Sequence, residues 1–128
     1  MNVSKISDAE WQVMKVIWDK SPITQGEIVE ALKPVTGWST TTIYTMINRL
    51  IKKDVVAIEE GSSPYKCIPL IAKDVLIGEE SKSFIKRVYD GSLNLLMSSI
   101  VEQNELSDGE IEELKKILDK SKKKKGDL

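Results

Sequence analysis

Between Ser39 and Lys53 the chain reads Ser-Thr-Thr-Thr-Ile-Tyr-Thr-Met-Ile-Asn-Arg-Leu-Ile-Lys-Lys. Ile43, Met46, Ile47 and Leu50 recur at helical spacing and predict a core stripe. The opposite face then presents Thr41, Tyr44, Thr45, Asn48 and Lys52, with Thr40, Thr42 and Arg49 on its flanks. These are short, planar or cationic hydrogen-bonding groups, the kinds that meet base edges and phosphates in a DNA groove. No acid lies between Ser39 and Lys53 to repel a phosphate. The run Ser39 to Thr42 opens the helix with hydroxyls and unpaired backbone amides, an arrangement that attracts phosphate. On this reading Thr41, Thr42, Tyr44 and Thr45 contact bases. Ser39, Thr40, Asn48, Arg49, Lys52 and Lys53 hold phosphates. The competing reading is an ordinary solvated helix, which would more often carry Glu and Lys.

Other chemistry finds little support. The chain has no histidine, the commonest general base and metal ligand. Its one cysteine, Cys67, excludes an intrachain disulfide and a cysteine metal cluster, and reads as a structural thiol within a strand. The pairs Glu59/Glu60, Glu79/Glu80 and Glu112/Glu113 read as surface charge, since all lie in charged contexts and adjacent residues on a helix do not face each other. Neither a catalytic set nor a cofactor or metal site is expected. The balance of charge gives no help: the net charge is −1, and residues 1–71 carry eight basic and eight acidic side chains. A nucleic-acid binder is more often basic, so the case for DNA rests on architecture. A winged-helix adaptor that binds protein through the same helix is the alternative.

The elements that position the helix follow from start and stop signals. Ser7-Asp-Ala-Glu10, Thr24-Gln-Gly-Glu27 and Ser107-Asp-Gly-Glu110 each fit the capping box that opens a helix. A first helix is expected from about Asp8 to Asp19, with Trp11, Met14, Ile17 and Trp18 as its apolar stripe. A second runs from Gln25 to Leu32, burying Ile28, Ala31 and Leu32, and Pro34 and Gly37 then mark a loop. After the third helix, Val55–Ile58 and Tyr65–Ile68 flank the turn Gly61-Ser-Ser-Pro64 and read as a β-hairpin. Three helices and a hairpin is the order of a winged helix-turn-helix, with Ser62, Ser63 and Lys66 of the wing in reach of phosphates; Glu59 and Glu60 oppose close approach there, and a solvated turn is the equal alternative. The fold expected is mainly α: a DNA-binding domain over 1–71, a helical region over 72–121 and a flexible basic tail over 122–128.

The helical region divides into segments near Lys73–Tyr89, Ser92–Gln103 and Asp108–Lys120. Their apolar residues include Phe84, Val88, Leu93, Leu96, Met97, Ile100, Val101, Ile111, Leu114, Ile117 and Leu118. About 40 residues make a poor core alone, so a second copy of the chain is expected to cover these side chains. No apolar run suits a membrane span, and the polar start from Met1 to Asp8 lacks a signal-peptide core. A cytoplasmic protein without membrane insertion is expected.

The strings Ile6-Ser-Asp-Ala-Glu-Trp-Gln-Val-Met14, Ile17-Trp18 and Trp38-Ser39, followed by Thr42-Ile43, Thr45, Arg49-Leu50 and Lys52-Lys53, resemble the penicillinase-repressor family of the BlaI, MecI and CopY type. So do Ser83–Tyr89 and Leu106–Leu114. The likeness runs to about Lys120 and is closer to the BlaI/MecI branch. It implies a homodimeric repressor of antibiotic-resistance genes, bound to a palindromic operator built on TACA/TGTA. It implies release by one of two routes. A membrane metalloprotease sensor can trigger cleavage in the dimerisation half, or a C-terminal cysteine cluster can take metal. This chain has no cysteine after Cys67, which removes the second route. The first would act at Ser99-Ile100, where the family has Asn-Phe. Tyr44 stands where relatives often carry a basic residue, which alters the expected base preference.

Overall fold

The computed structural model describes residues 5–126. The elements run α1 (Asp8–Lys20), β1 (Ile23–Thr24), α2 (Gln25–Thr36), α3 (Thr40–Lys52), β2 (Val56–Ile58), β3 (Lys66–Pro69), α4 (Lys73–Tyr89), α5 (Leu93–Gln103) and α6 (Asp108–Gly126). All three capping boxes form. Ser7 Oγ accepts the Glu10 amide at 3.2 Å while Glu10 Oε1 accepts the Ser7 amide at 2.9 Å. Thr24 with Glu27, and Ser107 with Glu110, repeat the pattern. Each box satisfies two amides that the helix itself leaves unpaired.

The chain divides into two compact units, Met1–Glu79 and Glu80–Leu128. The division falls inside α4, eight residues beyond the expected boundary, because Leu76 is buried in the core of the first unit. That core joins Val13, Met14 and Ile17 of α1, Ile28 and Leu32 of α2, and Ile43, Ile47 and Leu50 of α3 to Val56 and Cys67 of the sheet. Burying each aliphatic side chain contributes roughly 1.5–3 kcal/mol, so α3 is held mainly by its inner stripe. Trp18 Nε1 donates to the Ile71 carbonyl at 3.0 Å, fastening α1 to the segment that follows β3.

Several expectations change. Trp11 and Trp18 are half-buried and pack ring to ring at 5.8 Å, while Val13, outside the expected stripe, is fully buried. Met46 and Ala31 are half-buried too. α2 does not stop at Leu32 but continues through Pro34. Proline deletes one amide near the helix end, and the last carbonyls find other donors: Thr36 Oγ1 donates to Leu32 O at 2.8 Å and the Gly37 amide to Lys33 O at 2.9 Å. Gly37 adopts φ +73°, which glycine takes without steric cost. The hairpin gains a third strand. β1 pairs antiparallel with β3, Ile23 opposite Cys67 and Thr24 opposite Lys66, so β3 is central in the order β1-β3-β2. Cys67 lies across from Ile23 on one side and Ile58 on the other, fully buried, and burial pushes its thiol pKa up.

The second unit comprises the end of α4 with α5 and α6. α6 runs to Gly126, so the lysines expected in a flexible tail are helical. Lysine is a good helix former and its charge suits a helix C-terminus. No residue of α5 is buried. Phe84, Val88, Leu93, Met97, Ile100, Val101, Ile111, Leu114, Ile117 and Leu118 are all exposed in the single chain, and Leu96 is half-buried. Met97, Val101, Ile111, Leu114 and Leu118 line a largely apolar groove of about 630 Å³ between α5 and α6.

Candidate nucleic-acid interface

Ser39 opens α3 as its N-cap, with Oγ accepting the Thr42 amide at 3.1 Å and donating to Thr42 Oγ1 at 3.0 Å. That leaves the Thr42 hydroxyl with a proton to give, beside the unpaired amides of the first turn. Because Ile43, Ile47 and Leu50 turn inward, Ser39, Thr41, Tyr44, Thr45, Asn48, Arg49 and Lys52 are exposed, while Thr40 and Thr42 are half-buried. The hydroxyl of Thr45 donates to Thr41 O at 2.9 Å. Its remaining offer to a ligand is a methyl group and an acceptor oxygen. Among the described residues, the side chains of Tyr44, Asn48, Arg49 and Lys52 make no hydrogen bond or ion pair, and their polar groups are free.

Two residues of the expected phosphate set are engaged within the fold. Lys53 Nζ lies 2.8 Å from each carboxylate oxygen of Glu10 and 2.7 Å from the Lys5 carbonyl. All three ammonium protons are spent inside the fold. Burial opposes the Glu10 charge, but hydrogen bonds from Lys53 and Ser7 outweigh it and hold the carboxyl below its usual value. Ser62 also turns inward to its own wing, donating to Glu59 O at 2.7 Å and accepting the Lys66 amide at 3.0 Å. It has no proton left for a phosphate oxygen. Ser63 is exposed and Lys66 half-buried. Gly61, at φ +78°, lets the wing reverse.

Beside the outer face of α3 lies a cleft of about 340 Å³ lined by Thr24, Gln25, Gly26, Tyr44, Pro64 and Tyr65. Gln25 and Tyr65 carried no signal in the sequence. They are neighbours because Thr24 pairs with Lys66, which places the start of α2 against the end of the wing. Seeing this would have required seeing the two-residue strand β1.

At the second candidate site, Ser99-Ile100 lies within α5. Ser99 is half-buried, and its hydroxyl accepts from Tyr89 Oη at 3.5 Å. The Ile100 carbonyl accepts both the Asn104 amide at 3.0 Å and Asn104 Nδ2 at 3.1 Å. Among the described residues no cluster of His, Cys, Asp or Glu could hold a metal ion, and no helix is long and apolar enough to cross a membrane.

Three helices, a wing and an outward, acid-free third helix define a winged helix-turn-helix protein. The chain belongs to the penicillinase repressor family, whose profile it matches over residues 6–120. It is 39% identical over 123 residues to the penicillinase repressor of Bacillus licheniformis, covering 96% of each chain. It is 38% identical over 116 residues to the methicillin resistance regulatory protein MecI of Staphylococcus aureus strain N315, covering 91% of this chain and 94% of MecI. Among solved structures it is similar to the DNA-binding domain of the repressor BlaI, with TM-score 0.51 and 39% identity over 56% of this chain and 88% of that one. It is also similar to monomeric Bacillus licheniformis BlaI in complex with the blaP half-operator, with TM-score 0.52 and 38% identity over 57% of this chain and 89% of that one.

Proposed function

We propose that this protein is a transcriptional repressor that binds duplex DNA as a homodimer, α3 lying in the major groove. The observation that carries the reading is the outer face of α3, where Thr41, Tyr44, Asn48, Arg49 and Lys52 are exposed and acid-free on a helix fixed by its inner stripe. Its support is the likeness of this unit to BlaI on a half-operator. Thr41, Thr42, Tyr44 and Thr45 read bases; Ser39, Thr40, Asn48, Arg49 and Lys52, with Ser63 and Lys66 of the wing, hold phosphates. Repression follows from occupying a promoter rather than from any reaction.

The second unit supplies the dimer. Its apolar side chains on α4, α5 and α6 are exposed in one chain, and a second copy would bury them. Two linked reading units gain from effective concentration, so each half-site contact can be weak. Release by a membrane metalloprotease sensor would need a cut at Ser99-Ile100. That peptide bond sits in a helix, so cleavage requires the end of α5 to open first.

Fluorescence anisotropy with a labelled TACA/TGTA palindrome and a scrambled duplex tests the reading. Tighter binding to the palindrome, weakening with salt, is the expected result. Equal or absent binding to both would put the protein-binding adaptor in its place.

A further inference from the structure

We infer that the cleft between the start of α2, Tyr44 of α3 and Tyr65 of the wing is a DNA-backbone site that grips the sugar–phosphate chain with uncharged donors. This rests on the DNA reading above and extends it to Gln25 and Tyr65, which lie outside the expected contact set. The cleft opens beside the exposed face of α3 because Tyr44 belongs to both. A helix lying in the major groove has a backbone strand along each side, and the wing-side strand meets this cleft.

The chemistry of the lining fits a phosphodiester. Gln25 and Tyr65 each bring a donor, and their side chains have no hydrogen-bond partner among the described residues; Tyr44 borders the cleft with its ring. Glu27, at the start of α2, turns one carboxylate oxygen back to the Thr24 amide at 3.1 Å and the Thr24 hydroxyl at 2.8 Å. Pro64 and the tyrosine rings supply apolar wall for a deoxyribose. Tyrosine and glutamine are ordinary phosphate contacts. Such contacts also suit a unit in which basic and acidic residues balance over residues 1–71 and one of the bases, Lys53, is spent on Glu10. Backbone affinity here cannot come from lysines alone.

A neutral donor leaves a distinct signature. Counterion release scales with the cations that neutralise phosphates, so losing a hydroxyl lowers affinity without altering the salt slope. Tyr65 is 68% exposed, and Tyr65→Phe keeps the ring, so the fold is preserved. The test is anisotropy of the full chain and of Tyr65→Phe and Gln25→Ala, each on the palindrome and the scrambled duplex across a salt series. Each variant is expected to bind both duplexes about three- to tenfold more weakly, as for a lost hydrogen bond. The ratio between duplexes and the salt slope stay those of the parent. Unchanged affinity in both variants overturns the cleft while leaving the DNA reading intact. Loss confined to the palindrome overturns it too, since the residues would then read bases. A parent chain that binds neither duplex overturns both readings together.

Discussion

The carboxylate of Glu10 and the ammonium of Lys53, 43 positions apart, meet at 2.8 Å through both oxygens. Glu10 is 2% exposed and serves two roles, capping α1 through Ser7 and anchoring the residue that ends α3. The pair fixes one end of the reading helix to the scaffold behind it. Glu10→Gln leaves a half-buried ammonium short of its counter-charge and is expected to destabilise the fold by about 2–3 kcal/mol. The midpoint of urea unfolding at neutral pH reads the change, and an unshifted midpoint would show the pair to be energetically idle.

The same pair sets a pH dependence. The folded carboxyl titrates below its usual value of 4.5. A group depressed on folding contributes stability that is full above its unfolded pKa and is lost as pH falls through the folded one. Unfolding midpoints should therefore drop as pH is lowered from about 5. In Glu10→Gln that part of the slope disappears. An identical pH profile in parent and variant would assign the acid sensitivity elsewhere.

Inner and outer faces of α3 should separate by experiment. Ile47→Ala removes a fully buried side chain and is expected to cost about 2–5 kcal/mol of stability. Thr45→Ala, on the exposed face, should change stability by no more than about 0.5 kcal/mol yet weaken operator binding by about 1–3 kcal/mol. Calorimetry and anisotropy on the two variants give opposite patterns if the assignment of faces is right. A Thr45→Ala protein with parental affinity would remove that residue from the reading set.

These faces were legible because helical periodicity is local, and so were the capping boxes, each spanning four residues. The failures are non-local. Nothing in Ile23-Thr24 marks a strand; its partner, β3, makes it one. The ion pair of Lys53 with Glu10 could not be read, because the two lie 43 residues apart. Ser62 looked free because the turn that consumes its hydroxyl forms only when Glu59 and Lys66 come together. Pro34 misled for a different reason: its missing amide falls near a helix end, where Thr36 and Gly37 satisfy the last carbonyls.

Sedimentation should find a dimer at micromolar concentration. Leu114→Lys with Leu118→Lys places charge on the groove of the second unit and is expected to give monomers with the first unit still folded. Operator binding should then fall by on the order of 100-fold, the gain that linkage of two sites supplies. A parent chain that sediments as a monomer would reassign the exposed apolar residues.

Opening of α5 should limit any cut at Ser99-Ile100. Asn104→Ala removes the side-chain amide on the Ile100 carbonyl and should speed limited proteolysis near that bond several-fold, while leaving cuts in the first unit unchanged. Equal rates would mean that the helix end frays regardless of Asn104. In a host carrying the sensor, an intact band after β-lactam exposure would exclude regulated cleavage of this chain.

The burial of Cys67 turns the protein into its own stopwatch. The sole thiol sits in the central strand, fully covered and shifted away from the reactive thiolate, so an alkylating reagent must wait for the sheet to part. Every labelled molecule then counts one excursion of the reading unit, with no second cysteine to confuse the tally. Operator DNA that holds α3 and the wing together would slow that clock, making occupancy measurable on unlabelled DNA by mass alone.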